Sequence, residues 1–428
     1  MVSKLNTESS AVQSELLSHL DGAMRQADHQ YRCHVNSDQD WIKFGVLRVL
    51  HHHDSGREFF QDMRMDSLGQ LDIRRQDFQE GLKSMRRLKH LSSINSIYLE
   101  DRSQQAFKNK DGSFHPLLDS FHIYSGDGHF HAASTHDERD DQGRKNAVGH
   151  LYAQNLRNRD MSHLALSSDG TRKKPHDLGT IKKMDIESLR QGARRGQKVL
   201  YVWDRAIIDF SSWMRWKHNN GIYFVTRSKK NMNKEVIGNI SVDGADAQNS
   251  GVISDQLIEA GGAEALRMIT YHDAEIDETF EFITNLRSSL PPGMVVQLYR
   301  MRWDIEKVFD ELKNKLEETK AWSKSLTGKR MQAQFIVLCY NLLLRLRDNI
   351  EQREGIKDTE QEKKQELRWS KTLKCYELAK RPVPTWLATL RRTTQLGVKF
   401  IRWVRGLSFR PSSWSQALGL LAHEYGLK

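Results

Sequence analysis

The stretch QLYRMRWDIEKVFDELKNKL, residues 297–316, carries charge along a segment whose apolar residues are spaced for burial. At 3.6 residues per turn, each position advances about 100° around a helix axis. Leu298, Ile305, Phe309, Leu312 and Leu316 then form one stripe, the pattern of a core-facing surface. Tyr299, Arg302, Glu306 and Lys313 fall within roughly 60° of one another on a second stripe beside it. The spacing predicts a helix holding a tyrosine, two cations and a carboxylate along the border of its buried face.

The segments before it read as a mixed sheet. SFHIYSGDG (120–128) is a β-branched and aromatic run ending at Gly-Asp-Gly; FHAAST (130–135) and HLALSSD (163–169) are two further short strands. IESLRQGARRG (186–196) predicts a helix closed by Gly196. KVLYVWD (198–204) is apolar throughout, as a strand covered on both faces should be. FSSWMRWKHNNG (210–221) is a second helix and IYFVTR (222–227) another strand. Three strands, helix, strand, helix, strand describes an α/β fold with a mixed sheet, with Asp127 and Asp204 at the ends of its first and fourth strands. Residues 228–278 then alternate short strands with Gly, Asn and Asp turns, which predicts a small β-rich insertion. FEFITNL (280–286) resumes the main sheet or its margin, LPPG (290–293) breaks the chain, and the quoted helix follows. RMQAQFIVLCYNLLLRLRD (330–348) is a strongly apolar helix.

Residues 1 to about 115 read as helical. SGREFFQDMRMDSLGQLDIRRQDFQEGLKSMRRLKHL (55–91) predicts a helix, a break near Gly69, and a second helix opened by Asp72. That second helix is apolar at Ile73, Phe78, Leu82, Met85 and Leu88 and basic at Arg74, Arg75, Lys83, Arg86, Arg87 and Lys89. A helix-turn-helix entering a DNA groove has this pattern, and so does a plain amphipathic hairpin. HHHD (51–54) is read as a solvated helix end, because three consecutive histidines cannot share one helix face.

At 428 residues the chain is too long for one ordinary core. With 28% charged and 9% aromatic residues it reads as folded rather than disordered. The formal charge of +11 favours a polyanionic partner. From Thr319 to Lys428 there are 22 Lys and Arg against 9 Asp and Glu, so the C-terminal quarter holds more than the whole surplus. Between Pro382 and His423 there is no acidic residue, while Arg391, Arg392, Lys399, Arg402, Arg405 and Arg410 interleave with Trp386, Phe400, Trp403, Phe409 and Trp414. Such a segment suits phosphate contact, and nucleic acid is the expected partner. The three cysteines, Cys33, Cys339 and Cys375, have no disulfide or zinc spacing. No apolar run approaches the ~20 residues of a membrane span and the start lacks a signal core, so a cytoplasmic location is expected.

Aspartates at neighbouring strand ends are rigidly aimed, and hard divalent cations such as Mg²⁺ take oxygen ligands. A third carboxylate from a packed helix would complete a site for two ions, one activating the attacking oxygen and one stabilising the leaving oxygen. Glu306 fits that place, and Arg302 and Lys313 could grip phosphates beside it. Each residue also has a plainer reading: Asp127 as a turn, Asp204 as a helix cap, Glu306 and Lys313 as surface. Asp119, Asp209, Asp310 and Glu311 are competitors that spacing does not exclude. His129, His131, His136 and Asp137 share a short stretch but lack a second histidine pair to complete a metal site.

The run YRMRWDIEKVFDELK matches, at Tyr299, Arg302, Glu306 and Lys313, the Tyr-x-x-Arg-x-x-x-Glu-x-x-x-x-x-x-Lys signature of the insertion-sequence-4 group of DDE transposases. YVWDRAIIDF resembles the segment around that group's second aspartate, and IYSGDGHF, less specifically, the first. The order Asp127, Asp204, β-rich insertion, Glu306 resembles the group's interrupted ribonuclease-H-like fold.

The resemblance implies a helical N-terminal end-binding domain (1–115), a catalytic domain in two parts (116–227 and 286–347) around the insertion (228–285), and a basic helical C-terminal domain (348–428). It implies a Mg²⁺- or Mn²⁺-dependent endonuclease and strand transferase that binds terminal inverted repeats as a homodimer. Such an enzyme cuts the ends and joins their 3′-hydroxyls to target DNA, with or without a hairpin made across the flank. Asp127, Asp204 and Glu306 would hold two ions; Arg302 and Lys313 would hold phosphates; Tyr299 and Trp303 would position the strand. Hairpin-forming relatives trap a flipped base against aromatics, often a tryptophan, where TFEFITNL offers Phe280. Arg74, Arg75, Arg86, Arg87, Arg391, Arg392, Arg402 and Arg405 are the further DNA-contact candidates. A nuclease of the same fold without strand transfer, and a non-catalytic DNA-binding regulator, are the competing functions.

Overall fold

The computed structural model describes residues 2–28, 37–50, 56–65, 73–109, 114–170, 177–261, 265–286, 288–303, 305–306, 308–309, 312, 316, 319–355, 359–389, 400–401, 403–404, 414 and 416–418. Nine strands build the sheet: β1 (Phe121–His131), β2 (Val148–Asn155), β3 (Met161–Asp169), β4 (Lys198–Trp203), β5 (Ile222–Arg227), β6 (Lys234–Asn239), β7 (Val252–Ala260), β8 (Leu266–Asp273) and β9 (Glu278–Thr284). Their order is β3-β2-β1-β4-β5-β9-β8-β7-β6. β1, β4 and β5 are parallel and the remaining pairings antiparallel, so the mixed α/β sheet expected from the sequence is present. The strands from 234 onward extend this sheet through the β5–β9 pairing.

Two sequence expectations for the strands change. FHAAST is not a separate strand: Phe130 and His131 finish the eleven-residue β1, and Gly126 and Gly128 lie inside it. Gly126 is required there because a Cβ would stand 2.0 Å from the Trp203 ring. The second strand is instead Val148–Asn155, buried along its whole length. The parallel strand β4 is buried from Val199 to Trp203, as its unbroken apolar run requires.

The first five helices are α1 (Val2–Asp28), α2 (Ser37–Leu50), α3 (Gly56–Met65), α4 (Arg75–Gly81) and α5 (Met85–Lys108). The single helix expected across Ile73–Leu88 is thus two, because Ser84 turns away and accepts the Arg87 N–H to cap α5. Asp72, Gly69 and residues 51–54 lie outside the described residues. Within the sheet region stand α6 (Asp177–Lys183), α7 (Ile186–Leu189) and α8 (Phe210–Asn220). The helix expected over 186–196 stops at Leu189. Arg190 then donates to the carbonyls of Ala193, Arg194, Gln197 and Asn220, holding a loop in which Gln191 and Gly192 take positive φ. Asp209 caps α8, and Gly221 closes it at φ 63°.

Further on come α9 (Pro292–Met301), α10 (Leu326–Glu354), α11 (Thr359–Leu378) and α12 (Thr385–Thr389). α10 runs against β3, where the buried Asn341 amide donates to the Met161 carbonyl and accepts its N–H, both at 2.8 Å. One apolar cluster joins α1–α5, α10, Tyr152 and Met161 to the stripe Ile305, Phe309, Leu312 and Leu316. Among the described residues no helix is long and apolar enough to cross a membrane.

Candidate active site

The helix predicted over 297–316 is interrupted at Arg302. Its N–H bonds back to the Tyr299 carbonyl and its carbonyl accepts from Ile305 N–H, both three-residue spacings, so the backbone tightens there. Helical residues resume at Trp303, Ile305, Glu306, Val308, Phe309 and Leu312. The buried Ser125 hydroxyl donates to the Arg302 carbonyl at 3.4 Å, fixing the turn to β1. The Phe309 ring packs against His129 at 5.0 Å and Tyr152 at 5.8 Å between centroids. Glu306 is thereby anchored beside β1.

Asp127 lies within β1 rather than at its end, and Asp204 follows the last residue of β4. The β1–β4 register pairs Gly126 with Trp203, so Asp127 and Asp204 are the next positions on adjacent parallel strands. Neighbouring strands lie about 4.8 Å apart. Arg302 joins this pair to the helix: its Nη2 is 2.9 Å from Glu306 Oε1 and its Nη1 3.5 Å from Asp127 Oδ2. Only 5% of Arg302 is exposed. The guanidinium lies 5.5 Å from the Tyr299 ring and 5.8 Å from that of Trp303.

Burial pushes the Asp127 carboxyl up to about 6; the Gly128 N–H and Arg302 oppose this, and Asp204 and Glu306 add to it. Burial disfavours the Arg302 charge, but Tyr299, Glu306, Asp127 and Asp204 outweigh it and raise its pKa. Asp204 and Glu306 thus bear on the charge of Asp127, and one buried cation, Arg302, stands between Asp127 and Glu306.

Beside the carboxylates opens a cavity of about 880 Å³, lined among others by Asp204, Arg227, Phe280, Tyr299, Arg302 and Trp303. Trp303 is 57% exposed at its edge. The Arg227 guanidinium lies 4.4 Å from the centre of the Phe280 ring. Arg227 went unnoticed in the sequence. Only the β4–β5 register reveals it: β4 pairs Val202 with Val225, and two residues further stand Asp204 and Arg227. α11 contributes Arg368 and Lys371 to the cavity, and is tied down by Tyr376 to Tyr271 at 3.0 Å and by Thr372 to Glu275. Arg300 pairs with Asp273 and Glu275 and so joins α9 to β8.

Over residues 115–342 the chain matches the family model described as the transposase DDE domain. The chain belongs to the DDE transposase family. No curated protein is similar enough to match it.

The carboxylates of Asp127, Asp204 and Glu306 are hard oxygen donors of the kind a divalent ion takes, and burial pushes the Asp127 carboxyl up, with Asp204 and Glu306 adding to it. Among the described residues no three His, Cys, Asp or Glu side chains close on a common point as a metal cage would; at the triad, the Arg302 guanidinium stands between Asp127 and Glu306. His129 and His131 are buried beside His150, and Asp137 is paired with Lys329 at 2.8 Å.

The competitors separate by geometry. Asp209 accepts from Ser211, Ser212 and Lys182 as a helix cap, and Asp119 precedes β1, at the end remote from Asp127. Asp310, Glu311 and Lys313 lie outside the described residues, as do Arg391, Arg392, Arg402 and Arg405. Of the N-terminal arginines, Arg74 pairs with Asp77, and Arg86 and Arg87 both pair with Asp38. Arg87 also lies over the Trp41 ring at 4.9 Å, which gives it a packing task. Arg75 is exposed.

Proposed function

We propose that this DDE transposase is of the insertion-sequence-4 type, and that it binds terminal inverted repeats, cleaves DNA at the transposon ends and joins the 3′-hydroxyls to target DNA. The supporting observation is the adjacency of Asp127 and Asp204 in the β1–β4 register, with Arg302 linking Asp127 to Glu306. Asp127, Asp204 and Glu306 would hold Mg²⁺ or Mn²⁺, two ions per site. Bound there, such ions supply an activated attacking oxygen and charge stabilisation at the leaving oxygen.

The chain's own groups do the rest. Arg302 balances the carboxylates until a phosphodiester arrives, and then offers a buried guanidinium to its oxygens. Trp303 and Tyr299 position the strand, with Lys313 as a second phosphate contact. The Phe280 ring, backed by Arg227, offers a stacking surface for an unpaired base, which suits a hairpin route. Arg74, Arg75, Arg86 and Arg87, together with the basic C-terminal segment containing Arg391, Arg392, Arg402 and Arg405, are assigned to DNA contact. A homodimer on paired ends completes the reading.

The experiment incubates the protein with Mg²⁺, labelled end DNA and a supercoiled target. Strand-joined product is expected, and Asp127→Asn, Asp204→Asn or Glu306→Gln should each lower cleavage by at least about a thousandfold, roughly 4 kcal/mol, with DNA binding kept. Nicks without joining would favour a nuclease of the same fold. Cleavage that survives Glu306→Gln would remove Glu306 from the site.

A further inference from the structure

A second concave surface lies on the outer edge of the sheet, away from the carboxylates. It is a groove of about 770 Å³ bounded by β3, α5, α6 and the first turns of α10. Its lining contains no aspartate or glutamate, and three separate helices each contribute one exposed cation: Lys89 from α5, Lys183 from α6 and Arg330 from α10. None of the three makes an ion pair among the described residues. Their sequence neighbours do: Lys182 pairs with Asp209, and Lys329 with Asp137. The Ser92, Ser167 and Thr180 hydroxyls add uncharged polar groups along the walls.

Cations often guard an exposed sheet edge against pairing with another strand, but those sit on the edge strand itself. Here β3 contributes His163 to Ser167 and no charged side chain. Three exposed cations facing one groove with no acid in its lining give that groove a positive potential, which suits an anionic partner. The groove is also placed usefully. Asp127 pairs with Tyr152, and Tyr152 with His163, so the groove floor lies two strand spacings, roughly 10 Å, from the catalytic strand.

We propose that this groove binds the sugar-phosphate backbone of a DNA duplex, as a contact station separate from the carboxylate site. The choice of DNA among polyanions rests on the transposase reading above; the cation cluster itself does not. No base is read here. The groove adds sequence-independent affinity and holds the duplex on the sheet-edge side of the molecule.

The test measures binding of a random-sequence duplex to the full chain by fluorescence anisotropy across a salt series. Each neutralised phosphate contributes about 0.9 to the slope of log K against log salt. The triple variant Lys89→Gln, Lys183→Gln, Arg330→Gln should lower that slope by about 2 to 3. A control triple of equal charge change at exposed sites elsewhere, Lys108→Gln, Arg195→Gln, Lys230→Gln, should change it by less than 1. An unchanged slope, or an equal loss in the control, overturns the proposal. A photocrosslinking residue placed at Ser92 in the otherwise unaltered chain supplies a reading independent of the variants' folding. Crosslinks to the duplex that unlabelled duplex competes away support the groove, and their absence counts against it. Cleavage is read separately on the same samples, so loss of the groove contact and failure of the transposase reading give different results.

Discussion

Arg302 decides how the carboxylates behave. A buried guanidinium between Asp127 and Glu306 supplies positive charge to both acids, and it competes with any other cation for them. Replacing it by Gln removes that competitor while keeping a polar side chain. Mn²⁺ affinity of the DNA-free protein, measured by calorimetric titration, should then rise about tenfold or more, equivalent to ~1.4 kcal/mol. Affinity that stays level or falls would show that the guanidinium does not oppose the ion. Gly126 is the second decisive residue. Its missing Cβ leaves room for Trp203, whose ring stacks on Tyr201 at 4.7 Å behind the aspartate pair. Gly126→Ala should cost about 1–3 kcal/mol by overpacking and displace β1 against β4. A lowered melting temperature together with lost cleavage would report both effects.

At the scale of elements, the aspartates are sorted by what caps what. Asp209 opens α8, and its carboxyl is drawn down to about 2: burial works against this, while Lys182, Ser211 and Ser212 outweigh it. Asp209→Ala should lower stability by about 1 kcal/mol and leave cleavage within a few-fold of wild type; a thousandfold loss of cleavage would instead place it among the catalytic acids. The strands were legible where their sequence was apolar throughout, as in β4 and β5. β2 was not, because His150, Gln154 and Asn155 interrupt its apolar pattern. The structure buries these polar residues, with His150 Nδ1 3.0 Å from His163 Nε2. The helix expected over 186–196 is present but ends at Leu189. The residues that follow have helical propensity, but the Arg190 guanidinium satisfies three loop carbonyls and that of Asn220 at the end of α8, which makes the alternative stable.

Across the whole molecule, the helices and the sheet meet on a row of histidines. His131 and His163 are pushed down to about 4 and about 3 by burial, reinforced by Lys329 and Arg330 respectively. His150 is driven well below its usual range by burial and by His163, His131, His129 and Lys329. In the unfolded chain these imidazoles take protons near pH 6.5, whereas the folded ones resist until much lower pH. The unfolded state therefore binds more protons in that window. Stability is complete above pH 6.5 and is lost as pH falls below it, by about 1.4 kcal/mol per histidine per pH unit. Thermal melting should drop steeply between pH 6.5 and 5, and a flat profile would mean the row is hydrated. The consequence is global because this row underlies α10, which shares one apolar cluster with α1–α5 and the Glu306 segment.

The sequence by itself determined the buried stripe at Leu298, Ile305, Phe309, Leu312 and Leu316, the alternation that makes a mixed sheet, and a resemblance, carried by Tyr299, Arg302, Glu306 and Lys313, to a transposase family whose domain the chain matches. These are local properties, carried by spacing along one segment. Only the tertiary structure decided that Asp127 and Asp204 lie at neighbouring strand positions, that the Arg302 side chain stands between Asp127 and Glu306, and that Arg227 lines the same cavity as Asp204. Strand register and side-chain burial depend on segments far apart in the chain, and no local pattern encodes which strand will lie beside which.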